Sequence, residues 1–236
     1  MGAAVIGRVM NRSLDLLGRR WQGFVGPALV VGVIQVAIGL VASLSLDGIT
    51  DAIIEEEEIT LGAAMAFLGS SMVVFSISLV LMAFLVAMVI QAASGDRVDA
   101  GAATALIGRR FGVLVGAVLL GVGIVFVGFM LLVVPGIWAA VSLTPLMALV
   151  VGGDEGPVRS VRSSFELVRG SWFTVFAIVA IVFAVNIVLG ILGGFPGATG
   201  LALSVIATAA SSLFQAAVVW FTYEELTRRR NWPELA

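Results

Sequence analysis

The chain is organised by long apolar runs separated by short polar segments. The runs cover about 24–46, 61–93, 111–134, 137–151, 172–192 and 201–224. A membrane-spanning helix needs roughly 20 apolar residues. The run over 61–93 exceeds that need and is expected to tilt or to project into water. The stretch 111–151 is long enough for two spans, with Pro135–Gly136 as a tight hairpin between them. Gly193-Gly194-Phe195-Pro196-Gly197 predicts the turn before the last run. The runs are apolar on every face, which is the pattern of a lipid-embedded helix. Transmembrane strands would instead alternate apolar and polar residues over about ten positions. The expectation is an all-α polytopic membrane helix bundle with about six transmembrane helices.

Charge gives a separate test of that count. Every one of the 13 basic residues is Arg, and all 13 fall in four segments. Arg8, Arg12, Arg19 and Arg20 precede the first run; Arg97, Arg109 and Arg110 lie between the second and third. Arg159, Arg162 and Arg169 lie between the fourth and fifth, and Arg228, Arg229 and Arg230 follow the sixth. Six spans put all of them on one side. The other side carries Asp47, Asp51, Glu55, Glu56, Glu57 and Glu58. Positive residues stay inside, so both termini are expected in the cytoplasm and the chain in the plasma membrane. Residues 1–20 lack the short apolar core and cleavage site of a secretory signal, so the first run is read as a retained span.

The Arg-bearing segments resemble one another. Ser13-Leu14-Asp15-Leu16-Leu17 leads to Trp21, and Ser164-Phe165-Glu166-Leu167-Val168 leads to Trp172 at the same offset. Leu106-Ile107-Gly108-Arg109-Arg110-Phe111 parallels Leu16-Leu17-Gly18-Arg19-Arg20-Trp21. This predicts three amphipathic cytoplasmic interfacial helices, each followed by a membrane hairpin, in a threefold repeat over 5–93, 98–152 and 157–226. Arg12, Arg19, Arg20, Arg109, Arg110, Arg162 and Arg169 become the candidates for contact with anionic inner-leaflet headgroups or a protein partner. Trp21, Phe111 and Trp172 would mark the membrane boundary. Asp154-Glu155-Gly156-Pro157 suits a helix start, with acid at the positive dipole end and proline in the first turn.

Composition narrows the chemistry. The chain of 236 residues is 60% hydrophobic and 12% charged, with mean hydropathy +1.14. It contains no His and no Cys. That removes the main ligands of zinc, copper, haem and iron–sulfur sites, together with thiol nucleophiles and Ser–His–Asp triads. No cofactor and no nucleic-acid partner are expected. No Asp, Glu, Arg or Lys falls in the middle of a run, which argues against a proton-coupled pump or voltage sensor. The polar residues left inside are Gln35, Asn186, Ser76, Ser78 and a stripe of Ser204, Thr208, Ser211, Gln215 and Thr222 on one helical face. Two roles stay open for the stripe: lining a cavity, or joining helices by short hydrogen bonds. Gly108, Gly112 and Gly116 are spaced for close helix approach. The acidic 47–58 segment is either solvated or a loose site for a hard cation. Asp96, Asp99, Asp154, Glu155 and Glu166 are the carboxylates from which an intramembrane enzyme would have to be built.

One stretch carries a more specific pattern. It reads Pro135-Gly136-Ile137-Trp138, Pro145, Glu155-Gly156-Pro157, then Ser163-Ser164-Phe165-Glu166-Leu167-Val168-Arg169-Gly170. It resembles a family of prokaryotic six-span proteins that includes the membrane domain attached to some glycerophosphodiester phosphodiesterases and stand-alone relatives of unknown function. The resemblance implies a polytopic helical domain. The hydrolase activity does not come with it, because the fused enzymes use catalytic histidines and a soluble domain that this sequence lacks. Many members also carry a basic residue shortly after the proline–glycine turn, where this chain has Val141-Ser142-Leu143. Two functions follow as expectations: a non-catalytic scaffold or accessory protein meeting lipid or a membrane partner, or a transporter or channel for a neutral or lipid-like solute.

Overall fold

A computed structural model describes residues 2–54, 61–193 and 197–231, with side chains left undescribed at 44–68, 70, 72, 192, 193 and 231. The described residues form eight helices and no strand. They are α1 (Gly2–Ile54), α2 (Leu61–Ala93), α3 (Ala100–Leu131), α4 (Val133–Ser142), α5 (Leu146–Gly152), α6 (Pro157–Val168), α7 (Trp172–Gly193) and α8 (Gly197–Asn231). Six segments are long and apolar enough to cross a membrane, the fourth being α4 and α5 taken together. Exposed Val30, Val41, Phe126, Met130, Phe183 and Ile206 belong to the outward faces of this bundle. Such side chains are stable there only with lipid as the solvent.

Four boundaries differ from the pattern read along the chain. The first Arg-bearing segment and the first span are one helix, kinked at Arg20 (φ −120°, ψ 20°) rather than at Pro27. The hairpin after α3 turns at Leu132 (φ −167°, ψ 154°), and Pro135–Gly136 lies inside the first turns of α4. A proline near a helix start forfeits no hydrogen bond, so it initiates α4 where a turn was expected. The fourth span is broken at 143–145, where Pro145 has no N–H to continue the ladder. The middle Arg-bearing segment is likewise continuous with its span, in α3. Only α6 stands apart as a separate short helix. Gly156 precedes it, Pro157 begins it, and Gly170 (φ +87°) turns the chain into α7.

The core is centred on α2. Between Ala83 and Ala92 this helix is nearly enclosed by α1, α3, α5 and α8. The joint between α1 and α8 is the most extensive in the bundle. There a Cβ on Gly32 would sit 2.7 Å from the Val205 carbonyl oxygen, so only glycine permits the crossing. Of the spaced glycines in α3, Gly116 meets Pro157 of α6, while Gly108 and Gly112 face open space. The expected glycine seam is therefore a single contact. The motif of the third Arg-bearing segment ties α6 to α4. Trp138 packs on Phe165 with ring centroids 5.2 Å apart, and Ser164 Oγ donates to the Ser142 carbonyl at 2.8 Å.

Contacts among the Arg-bearing segments place them at one end of the bundle. Arg8 and Arg12 of α1 reach Glu225 and Glu224 of α8, and Arg20 donates to the carbonyls of Gly95 and Asp96. Arg110 of α3 pairs with Asp154, and Arg230 of α8 lies 3.6 Å from Glu166 of α6. This is the geometry that an even number of crossings requires. The acidic 47–58 segment and its suggested cation site lie outside the described side chains.

Candidate functional site

Two groups of polar residues stand out, one at the Arg-bearing end and one inside the apolar layer.

At the Arg-bearing end the guanidinium groups are mostly engaged within the protein. Arg12 pairs with Glu224 at 3.0 Å and lies 4.6 Å from the centre of the Phe221 ring. Arg19 pairs with Asp15 and Arg162 with Glu166, each one helical turn away. Arg20 caps carbonyls of the α2–α3 connection, and Arg110 holds Val150 and Asp154. Glu166 has its carboxyl held below the usual carboxylate range, first by the Arg162 hydrogen bond and then by the Arg162 and Arg230 charges. Three residues differ. The guanidinium groups of Arg97 and Arg169 have no partner among the described residues, and that of Arg109 donates only to the Ala105 carbonyl of its own helix.

The candidate catalytic carboxylates do not converge. Asp99 caps α3 by accepting from the Gly101 N–H at 2.8 Å. Asp154 holds Arg110, Glu155 holds Ser163 and Arg159, and Glu166 holds Arg162 and Arg230. The side chain of Asp96 meets none of them. The other four are each a cap or an arginine partner. Among the described residues no group of acidic side chains is arranged to hold a metal.

Inside the apolar layer the polar residues do converge. Gln35 of α1 and Asn186 of α7 each lie fourteen residues beyond a junction tryptophan, Trp21 and Trp172, about 21 Å along a helix axis. They meet the stripe of α8. Asn186 Oδ1 accepts from Ser211 Oγ and from Gln215 Nε2 at 3.1 Å, while its Nδ2 donates to the Val182 carbonyl at 2.8 Å. Gln215 Nε2 also donates to Ser211 Oγ at 3.1 Å. Ser212 Oγ donates to Gln35 Oε1 at 2.7 Å. Two donors on one oxygen and a carbonyl opposite the amide nitrogen leave only one orientation for Asn186.

These residues frame a cavity of about 510 Å³. Gln35, Asn186, Ser204, Thr208, Ser211 and Gln215 all line it, with Ser78 and Ser212 beside them. Thr222, on the same face of α8, is buried elsewhere. Ser212 was not singled out by helical spacing, since it sits about 100° round from Ser211. Its signal is the pairing with Gln35, which requires knowing that α1 packs on α8. A second cavity of about 510 Å³ adjoins the first and shares Phe75, Leu79, Met82 and Gln215 with it. Its remaining lining is almost wholly apolar, from Val118, Val122 and Phe126 of α3 to Val179 and Val182 of α7. The two together have a hydrogen-bonding end and a hydrocarbon end, both uncharged.

Comparison with known protein families, with curated proteins and with solved structures finds no match.

Proposed function

We propose that this chain is a multi-pass protein of the plasma membrane that binds, and carries as a transporter, a neutral lipid-like solute in its intramembrane cavity. The observation that carries the reading is the convergence of Gln35, Asn186 and Gln215, from three different helices, on one cavity. Had they served only to join helices, they would lie in tight contacts with no free volume between them. An amphiphile fits the paired polar and apolar compartments, whose size lies within the usual range for small-molecule sites. A charged solute does not, because no Arg or carboxylate lines either compartment. No catalytic step is assigned. The one-sided Arg bias supports cytoplasmic termini, and the likeness of the three Arg-bearing segments supports a three-unit organisation. The Pro135 to Gly170 pattern supports a relationship to the six-span family.

The test is the lipid that stays with the protein. Purified in native nanodiscs, the chain is expected to retain a neutral lipid visible by native mass spectrometry. The double variant Asn186→Leu, Gln215→Leu should lose it while keeping its helicity. Retention of only bulk phospholipid, equal in both proteins, would remove the reading.

A second reading, a scaffold on anionic inner-leaflet lipid, is favoured by Arg97, Arg109 and Arg169. These three have no carboxylate partner among the described residues, unlike Arg12, Arg19, Arg110 and Arg162. Replacing all three with Gln should weaken binding of phosphatidylglycerol vesicles if the scaffold role holds.

A further inference from the structure

The hydrogen-bonding groups left open in the cavity define which neutral lipid it takes, granted that the cavity is a binding site. Gln35 Oε1 is engaged by Ser212, yet its Nε2 has no partner among the described residues. Asn186 Nδ2 uses one N–H on Val182 and has a second. Gln215 donates twice through Nε2 and leaves Oε1 without a donor among the described residues. Thr208 Oγ1 has no bond to any described residue either. None of these atoms is sealed within protein, and their residues line the polar compartment. The site therefore presents amide N–H donors beside amide and hydroxyl acceptors, with no charge. The complementary head carries a carbonyl to accept and a hydroxyl to donate, close together. A phosphate there would be an uncompensated charge in the apolar layer.

The helices also indicate how such a molecule enters. Among the described residues α7 packs extensively on α8, α1 and α4, and at most marginally on α2 or α3. Yet residues of α2, α3 and α7 line the same apolar compartment. The space between α7 and the α2–α3 pair is thus open to lipid, and half-exposed Phe75, Phe126 and Phe129 line the compartment there. Along α7 the apolar lining (Ile178, Val179, Val182) lies nearer the Arg-bearing end than the polar lining (Asn186, Leu189, Gly190). The head accordingly points away from the Arg-bearing end, and the tail toward it.

We infer that the cavity takes a neutral acylglycerol, hydroxyl and ester at the Gln35–Asn186–Gln215 cluster, admitted sideways between α7 and the α2–α3 pair. The test uses the full chain in phosphatidylcholine nanodiscs and two photoreactive probes with the same diazirine-bearing acyl chain. One is a monoacylglycerol and the other is its phosphate monoester. The monoacylglycerol is expected to label peptides covering 118–129 and 178–182. Gln35→Leu or Gln215→Leu should each lower that labelling about tenfold. Thermal unfolding of each variant, checked in parallel, should stay close to the parent. The phosphate ester should label these peptides weakly in all proteins. Equal labelling by both probes would overturn the head-group assignment and leave a lipid-binding cavity standing. If neither probe labels these peptides, both the assignment and the binding reading beneath it are overturned.

Discussion

The two halves of α8 use polar residues in opposite ways. At its Arg-bearing end, Glu224 holds Arg12 at 3.0 Å and Arg228 at 2.5 Å, while Glu225 holds Arg8 at 2.6 Å and Arg229 at 3.6 Å. Each carboxylate is shared between a guanidinium of its own helix and one of α1. About ten residues earlier, around Ser211 and Gln215, the partners are amides and hydroxyls, and several donors and acceptors remain open on a cavity. The first arrangement is closed and joins two helices. The second is held in place by neighbours but left incomplete, which is the condition for recognising a solute. The difference shows that a polar stripe on a membrane helix is not one thing: its role depends on whether its hydrogen bonds are all met by protein.

The largest effect should come from breaking the joint on which both halves depend. Gly32→Val would drive a side chain into the α8 backbone and is expected to cost about 2–3 kcal/mol, read as a lowered midpoint of thermal unfolding. Lipid retention should fall with it, since Gln35 lies one turn along α1. Next, Asn186→Leu removes the acceptor shared by Ser211 and Gln215. Membrane hydrogen bonds between helices are worth about 0.6 kcal/mol on average, so stability should change by roughly 1 kcal/mol or less. Lipid retention should still drop about tenfold, which would separate recognition from packing.

The closed half should show the reverse. Arg12→Leu and Glu224→Gln, combined in a double-mutant cycle, should give a coupling of about 0.5–1 kcal/mol, because the pair is part-exposed and screened. Lipid retention should be unaffected in all three variants. The smallest effect concerns α6. The carboxyl of Glu166 is lowered by Arg162 and Arg230, so its ties stabilise above the ordinary carboxylate range and are lost as pH falls through the lowered value. The protection of α6 amides relative to their intrinsic exchange rate should therefore fall on acidification, and Glu166→Gln should abolish that dependence.

Much of this was legible in the chain, and what was missed shares one physical cause. Six spans and a single Arg-bearing end followed from apolar run length and charge placement, both of which are local properties. The stripe of Ser204, Thr208, Ser211 and Gln215 followed from helical spacing. What escaped was set by tertiary partners. Arg12 reads as a free interfacial cation until Glu224, 212 residues away, is seen against it. Ser212 lies off the stripe and gains its role only when α1 brings Gln35 to it. The turn at Leu132 has no local signal of its own, and Pro135–Gly136 is equally compatible with a helix start and a hairpin. Whether the stripe lined free volume or filled it could not follow from spacing, because volume belongs to the assembled bundle.

The central claim, that the space beside the amide cluster is occupied by lipid, is tested most directly by filling that space without touching the amides. Ala207 lines the polar compartment of the cavity. Native mass spectrometry of Ala207→Phe should show loss of the retained neutral lipid with an unfolding midpoint no lower than that of the parent. Full retention of the same lipid by the filled variant would contradict the account.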